Sequence, residues 1–147
     1  VGLFIDGVFV AMLAVVTVTD LRRRVIPNRV LATSVALGLP LLAVADPGAL
    51  PGRLAAALVA GGAFLALALV RPDGFGMGDV KLIAVIGLFL GDAVLGAVLI
   101  ALFAGSLVGL ALIARHGPAA MKSTIPFGPF LALGALLALL GLAVPLQ

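Results

Sequence analysis

The sequence predicts an all-α fold, a polytopic membrane protein built as a bundle of about six transmembrane helices, with residues 1–147 forming a single membrane-embedded domain. Three observations carry that prediction. Of the 147 residues, 64% are hydrophobic and only 10% are charged, against roughly 25% charged in a soluble domain, so a water-facing exterior cannot be assembled. The apolar residues gather in runs near residues 3–20, 30–45, 54–70, 80–91, 93–114 and 127–146, separated by polar punctuation. The runs lack the alternation of a transmembrane strand, which leaves the helix as the structure that satisfies its own backbone in lipid.

Each element has a local reason. The first run starts at Leu3 without a basic leading region or a small-residue cleavage site, so it is expected to be a retained span and not a removed signal. Pro27-Asn28 is expected to open the second helix, and Pro126 or Pro129 the sixth, because proline is tolerated where the missing N–H has no helical acceptor. Asp46-Pro47-Gly48 and Gly91-Asp92 read as breakers after the second and fourth runs. Gly61-Gly62, Gly105, Gly109, Gly134 and Gly141 fall inside or beside the runs and are expected to let helix backbones approach closely.

Basic residues set the orientation. With six spans, one set of loops and their borders holds Arg22, Arg23, Arg24, Arg29, Arg71, Lys81, Arg115 and Lys122, while the other holds only Arg53. Short loops rich in Lys and Arg stay on the cytoplasmic side. The loops at about 21–29, 71–79 and 115–126 are therefore expected to face the cytoplasm, with both termini outside. Arg22 to Arg24 are expected to meet anionic headgroups, which makes membrane lipid a partner.

Composition also excludes chemistry. The chain has no cysteine, which removes disulfide scaffolds, thiol nucleophiles and Cys-ligated zinc. A single histidine, His116, cannot build a multi-histidine metal site. The net charge of +3 comes from basic residues scattered among apolar runs, which do not form a nucleic-acid face. No metal and no cofactor is expected.

All six acids are Asp, and three of them, Asp20, Asp73 and Asp79, fall on the basic side. Asp73, in Arg71-Pro72-Asp73-Gly74, is a simple turn residue. Asp20 closes the first run, where a helix C-terminus would prefer a cation, so capping of its own helix does not explain it. Asp79, in Gly76-Met77-Gly78-Asp79-Val80-Lys81-Leu82, sits where Asp is a good N-cap. Helix length then bears on both. Asp79 precedes Asp92 by 13 residues and Asp20 follows Asp6 by 14, so each pair spans only about 20 Å of helix against a hydrocarbon core of about 30 Å. If Asp6 and Asp92 mark the outer surface, Asp20 and Asp79 share a depth about 10 Å inside the opposite boundary. Ionisable residues at such depth are functional-site candidates. Two neighbouring carboxylates do not both ionise easily, and one ionised with one protonated suits amide hydrolysis: the first takes a proton from water, the second donates to the carbonyl oxygen.

Three segments then resemble the prepilin peptidases, membrane aspartyl proteases of the Gly-x-Gly-Asp type that process type IV prepilins and pseudopilins. They are Asp20-Leu21-Arg22-Arg23-Arg24-Val25-Ile26-Pro27-Asn28, then Gly76-Met77-Gly78-Asp79-Val80-Lys81-Leu82, then Ile125-Pro126-Phe127-Gly128-Pro129-Phe130-Leu131-Ala132-Leu133-Gly134. The resemblance implies that Asp20 and Asp79 are the catalytic pair. It also implies a multi-pass protein of the prokaryotic inner membrane, a site toward the cytoplasm, and a prepilin or pseudopilin substrate cut after a Gly that ends a short basic leader. Gly76 and Gly78 are expected to let a substrate strand approach the backbone or to serve turn geometry. Lys81 is expected to snorkel outward or to stabilise a carboxylate. Pro27, Pro126 and Gly128 are expected to shape the site. Many larger members carry acids where this chain has Arg22 and Asn28, which makes it more similar to the short members of Flp or tight-adherence pili. Larger members also carry paired cysteines linked to N-methylation, so methyltransferase activity is not expected here. The alternatives are a small transporter or channel with an Asp relay, a noncatalytic assembly subunit, and a presenilin-like protease, which would require Pro-Ala-Leu near the last spans.

Overall fold

The computed structural model describes residues 1–122 and 124–142. Six α-helices follow in order: α1 (Gly2–Arg23), α2 (Asn28–Ala45), α3 (Leu50–Val70), α4 (Met77–Leu90), α5 (Val94–His116) and α6 (Gly128–Leu139). Short 3₁₀ turns occupy Gly91–Ala93 and Pro118–Lys122. Among the described residues, Gly2–Arg23, Asn28–Ala45, Leu50–Val70 and Met77–His116 are long and apolar enough to cross a membrane, the last stretch holding α4 and α5 in succession. The chain is a multi-pass, all-helical membrane protein.

Helix starts match the local chemistry. Pro27, at φ −70° and ψ 120°, stands in the N-cap position of α2, and Pro129 lies in the first turn of α6. Helix α6 is the element that departs most from expectation. The apolar run reaches Val144 and beyond, yet the helix stops at Leu139. Gly141 takes φ +72°, and Leu142 N–H donates to the Leu137 carbonyl, the glycine-based closure that satisfies last-turn carbonyls. Residues 143–147 of the expected sixth span lie outside the described residues.

Helix α4 is the centre of the bundle. Val80, Leu82, Ile83 and Val85 to Phe89 are buried on it, so from Leu82 to Phe89 the helix is enclosed by protein on nearly every side. It packs most extensively on α3 and also touches α2, α5 and α6, while α6 packs on α5 and α1. Water drives none of this packing in lipid, and close van der Waals fit takes its place. Glycines permit the fit: a Cβ on Gly61 would lie 2.7 Å from Ala84 Cβ, and one on Gly87 would lie 2.9 Å from the Ala57 backbone. Gly134 meets the Ala97 carbonyl and Gly38 meets the Phe89 ring in the same way. Gly62 and Gly109, by contrast, have nothing within 4 Å, so small residues there serve no helix contact. At the far end of α4, Arg53 Nη1 donates to the Phe89 carbonyl, supplying a positive partner to the last turn.

Buried residues on α1 are Ile5, Phe9, Met12, Leu13, Val16 and Asp20. Their spacing of three and four residues is one stripe of a helix. Asp20 is therefore the last member of the core-facing stripe, one turn beyond Val16.

Candidate active site

Asp20 is 6% exposed, and its carboxylate is not left unpartnered. The Gly128 N–H donates to Asp20 Oδ2 at 2.9 Å across 108 residues of chain. Gly128 is the first residue of α6, whose N-cap residue Phe127 supplies no side-chain cap. Asp20 thus fills the capping role for α6 from a different helix, satisfying one of the N–H groups that every helix start leaves open. An acid there also meets the positive end of the α6 dipole. Capping of a distant helix is a function that the local sequence around Asp20 does not show. The Asp20 side chain points into the bundle and not to the surface.

Gly128 has to be a glycine for this to work. A Cβ there would lie 2.5 Å from Asp20 Oδ2 and 3.1 Å from Asp20 Cγ.

Asp79 sits in the first turn of α4, three residues inside its N-cap, which is Gly76. The expectation that Asp79 itself is the cap is therefore corrected by three positions. Its Oδ2 lies over Gly76, where a Cβ would stand 3.5 Å away. Neither Gly76 nor Gly78 has a positive φ, so turn geometry does not explain them. Gly78 is explained by contact: a Cβ on it would lie 3.0 Å from Ile26 Cβ, and Ile26 is buried between α1 and α2.

The two acids share one cavity of about 300 Å³, lined on one side by Asp20, Arg24, Ile26 and Asn28 and on the other by Gly76, Gly78, Asp79 and Lys81. The remaining Asp residues, Asp6, Asp46, Asp73 and Asp92, are all exposed. Shielding therefore separates exactly two carboxylates from six, and those two face the same space. The cavity lies at the lower end of the size range of ligand pockets, about 300–1,000 Å³.

Other predicted residues take defined places. Lys81 Nζ donates to Asn28 Oδ1 at 3.1 Å, so it bridges the starts of α4 and α2 instead of pairing with a carboxylate. Pro27 and Pro126 do not line the cavity; Pro27 sets where α2 begins and Pro126 precedes the α6 start. Arg24, expected to set topology and to meet anionic headgroups, also belongs to the site. It closes α1 in the left-handed conformation, φ 53° and ψ 37°, with its N–H on the Asp20 carbonyl, and it reaches the cavity wall near Asp20. Among the described residues no three His, Cys, Asp or Glu side chains gather into a metal-holding group. The chemistry this wall supports is that of two carboxylates and a water.

Comparison with known proteins agrees with that chemistry. The type IV leader peptidase family matches residues 7–114, a span that contains both acids and stops before Gly128. Over 142 residues the chain is 38% identical to the "Prepilin leader peptidase/N-methyltransferase" of Bacillus subtilis (strain 168), an alignment covering 94% of this chain and 56% of that protein. The chain thus spans about half the length of that curated relative. No solved structure matches. With the family match covering well over half of its length, the chain belongs to the type IV leader peptidase family.

Proposed function

We propose that this protein is an aspartic endopeptidase that removes the leader of a type IV prepilin or pseudopilin, with Asp20 and Asp79 as its catalytic pair. The observation that carries the reading is the enclosure of these two carboxylates, alone among the six acids, on the wall of one cavity. One carboxylate takes a proton from a water molecule, whose oxygen attacks the scissile carbonyl carbon. The other, protonated, donates to the carbonyl oxygen as the tetrahedral intermediate forms. Collapse of the intermediate breaks the C–N bond, and the proton taken from water passes to the leaving amine. The Gly128 N–H holds one Asp20 oxygen, leaving the other for the water.

Eight of the nine basic residues belong to the three inter-helix segments at the cavity end or to their borders. The positive-inside rule then puts this end at the cytoplasmic side, where a basic leader joined to an apolar pilin helix would present its junction. Residues 1–147 act in this reading as one membrane-embedded peptidase unit. Arg22 and Asn28, standing where larger members carry acids, support assignment to the short Flp or tight-adherence type. A relay through the membrane would need further shielded acids, and the other four are exposed.

The test is cleavage of a prepilin by the reconstituted protein, unaltered and as Asp20→Asn or Asp79→Asn. Each substitution is expected to abolish cleavage with the protein still folded. Full activity in either variant would refute the pair.

A further inference from the structure

Asp79 is carried by the start of α4 and Asp20 is held by the start of α6, and the backbone–backbone hydrogen bonds of these two segments are local. In the segment before α4, Gly74 N–H donates to Arg71 and Asp79 N–H to Gly76; at the start of α6, Phe130 and Leu131 donate to Phe127. Side chains make a connection between these two segments. Phe75 immediately precedes Gly76, the N-cap of α4, and Phe127 immediately precedes Gly128, the donor to Asp20. Their rings meet edge to face, with centroids 5.8 Å apart at 81°. Phe75 is held from its other side by Phe64 of α3, again edge to face at 5.5 Å and 88°. Phe127 leans on Phe130 at 6.4 Å and lies against Gly105 of α5, where a Cβ would be 3.5 Å from the ring. Four rings thus run from α3 to α5 and α6, and the middle contact lies beside the starts of α4, which carries Asp79, and α6, which holds Asp20: Phe75 is two residues before Met77 and Phe127 one before Gly128. All four rings are half-buried.

Resting on the peptidase reading above, we propose that Phe75 and Phe127 are a positioning pair: their ring contact sets the spacing at which Asp79 meets Asp20. Neither ring lines the cavity, so neither touches the reacting atoms. An edge-to-face pair has a preferred angle as well as a preferred distance, which suits it to fix two helix starts relative to each other. Acid and base groups need such control, because catalysis falls steeply when they are displaced by fractions of an ångström.

The experiment measures kcat and KM, per folded molecule in lipid nanodiscs, on a prepilin that the unaltered protein cleaves. Phe75→Ala and Phe127→Ala are each expected to lower kcat about tenfold with KM within about twofold. Phe75→Leu, which keeps apolar bulk and removes the ring edge, is expected to lower it about threefold and decides the matter should the alanine variant fail to fold. The double alanine variant is expected to be no slower than the slower single one, since both remove the same contact. Phe9→Leu is the control: its ring stacks on Phe89 at 4.9 Å, away from the cavity, and it should lower the thermal midpoint with kcat unchanged. An unaltered kcat in Phe75→Leu, or losses that simply multiply in the double variant, would overturn the proposal. Inactive Asp20→Asn and Asp79→Asn beside a fully active Phe75→Leu would remove the positioning pair alone; active Asp variants would remove the peptidase reading beneath it.

Discussion

Replacing Gly128 by alanine adds one methyl group and changes no charge, and its effect can be worked out from the structure. Gly128 does not use a positive φ, so alanine is conformationally acceptable and the consequence is steric. The new Cβ would stand 2.5 Å from Asp20 Oδ2, whereas ordinary contact begins near 3.4 Å. The carboxylate has to retreat by about 0.9 Å, which stretches the 2.9 Å bond from Gly128 N–H past the limit of useful hydrogen bonding. Displacement of a reacting group by about 1 Å costs about 100-fold in rate. Loss of a hydrogen bond to a charged group, about 1.5–3 kcal/mol, gives a range that brackets the same figure. Gly128→Ala is therefore expected to lower kcat about 100-fold with little change in KM, measured by single-turnover cleavage of a prepilin in nanodiscs, with helix content followed by circular dichroism. Cleavage within about threefold of the unaltered protein would refute the claim that Asp20 is held in its working position by the α6 start.

Three further substitutions probe other links. Gly78→Ala brings its methyl 3.0 Å from Ile26 Cβ, a conflict that a small shift relieves, so a loss of about threefold in kcat is expected and a loss as large as that of Gly128→Ala would contradict this geometry. Arg53→Met removes the donor to the Phe89 carbonyl at the far end of α4; a stability loss of about 1 kcal/mol, read as a lower thermal midpoint with unchanged kcat per folded molecule, is expected. Gly134→Leu drives a side chain into the Ala97 carbonyl on α5, and the folded fraction recovered by size-exclusion chromatography should collapse, since backbone cannot yield as a side chain can.

How legible this was differs between elements. Helix starts at Pro27 and Pro129 follow from proline's fixed φ and missing N–H, which are local properties, and the sequence shows them. The end of α6 did not follow from hydropathy, because Leu142 and Ala143 are as apolar as the residues before them; the stop depends on the backbone freedom of Gly141, which a hydropathy run cannot register. The burial of Asp20 was available and unused: Phe9, Met12, Leu13 and Val16 define a stripe that reaches Asp20 at the next turn. Length arithmetic on α1 and α4 led to the same two acids by a different route. What no local rule supplied is the pairing of Asp20 with Gly128 and of Phe75 with Phe127, since partners 108 and 52 residues apart are joined only by how the bundle closes. The glycines of Gly76-Met77-Gly78 invited a turn explanation, and Ile26 packed against Gly78 gives the physical one.

The cap that Asp20 gives to α6 also fixes an order of events. Helix α1 leaves the ribosome first of the six and α6 last, so through most of synthesis the Asp20 carboxylate waits without its Gly128 donor. The proposed acid pair gains its geometry only when the sixth helix docks, and a nascent chain interrupted before residue 128 would be inserted and largely helical but hydrolytically silent. Docking of the sixth helix and onset of the proposed activity are then one event, timed by the arrival of a single backbone N–H.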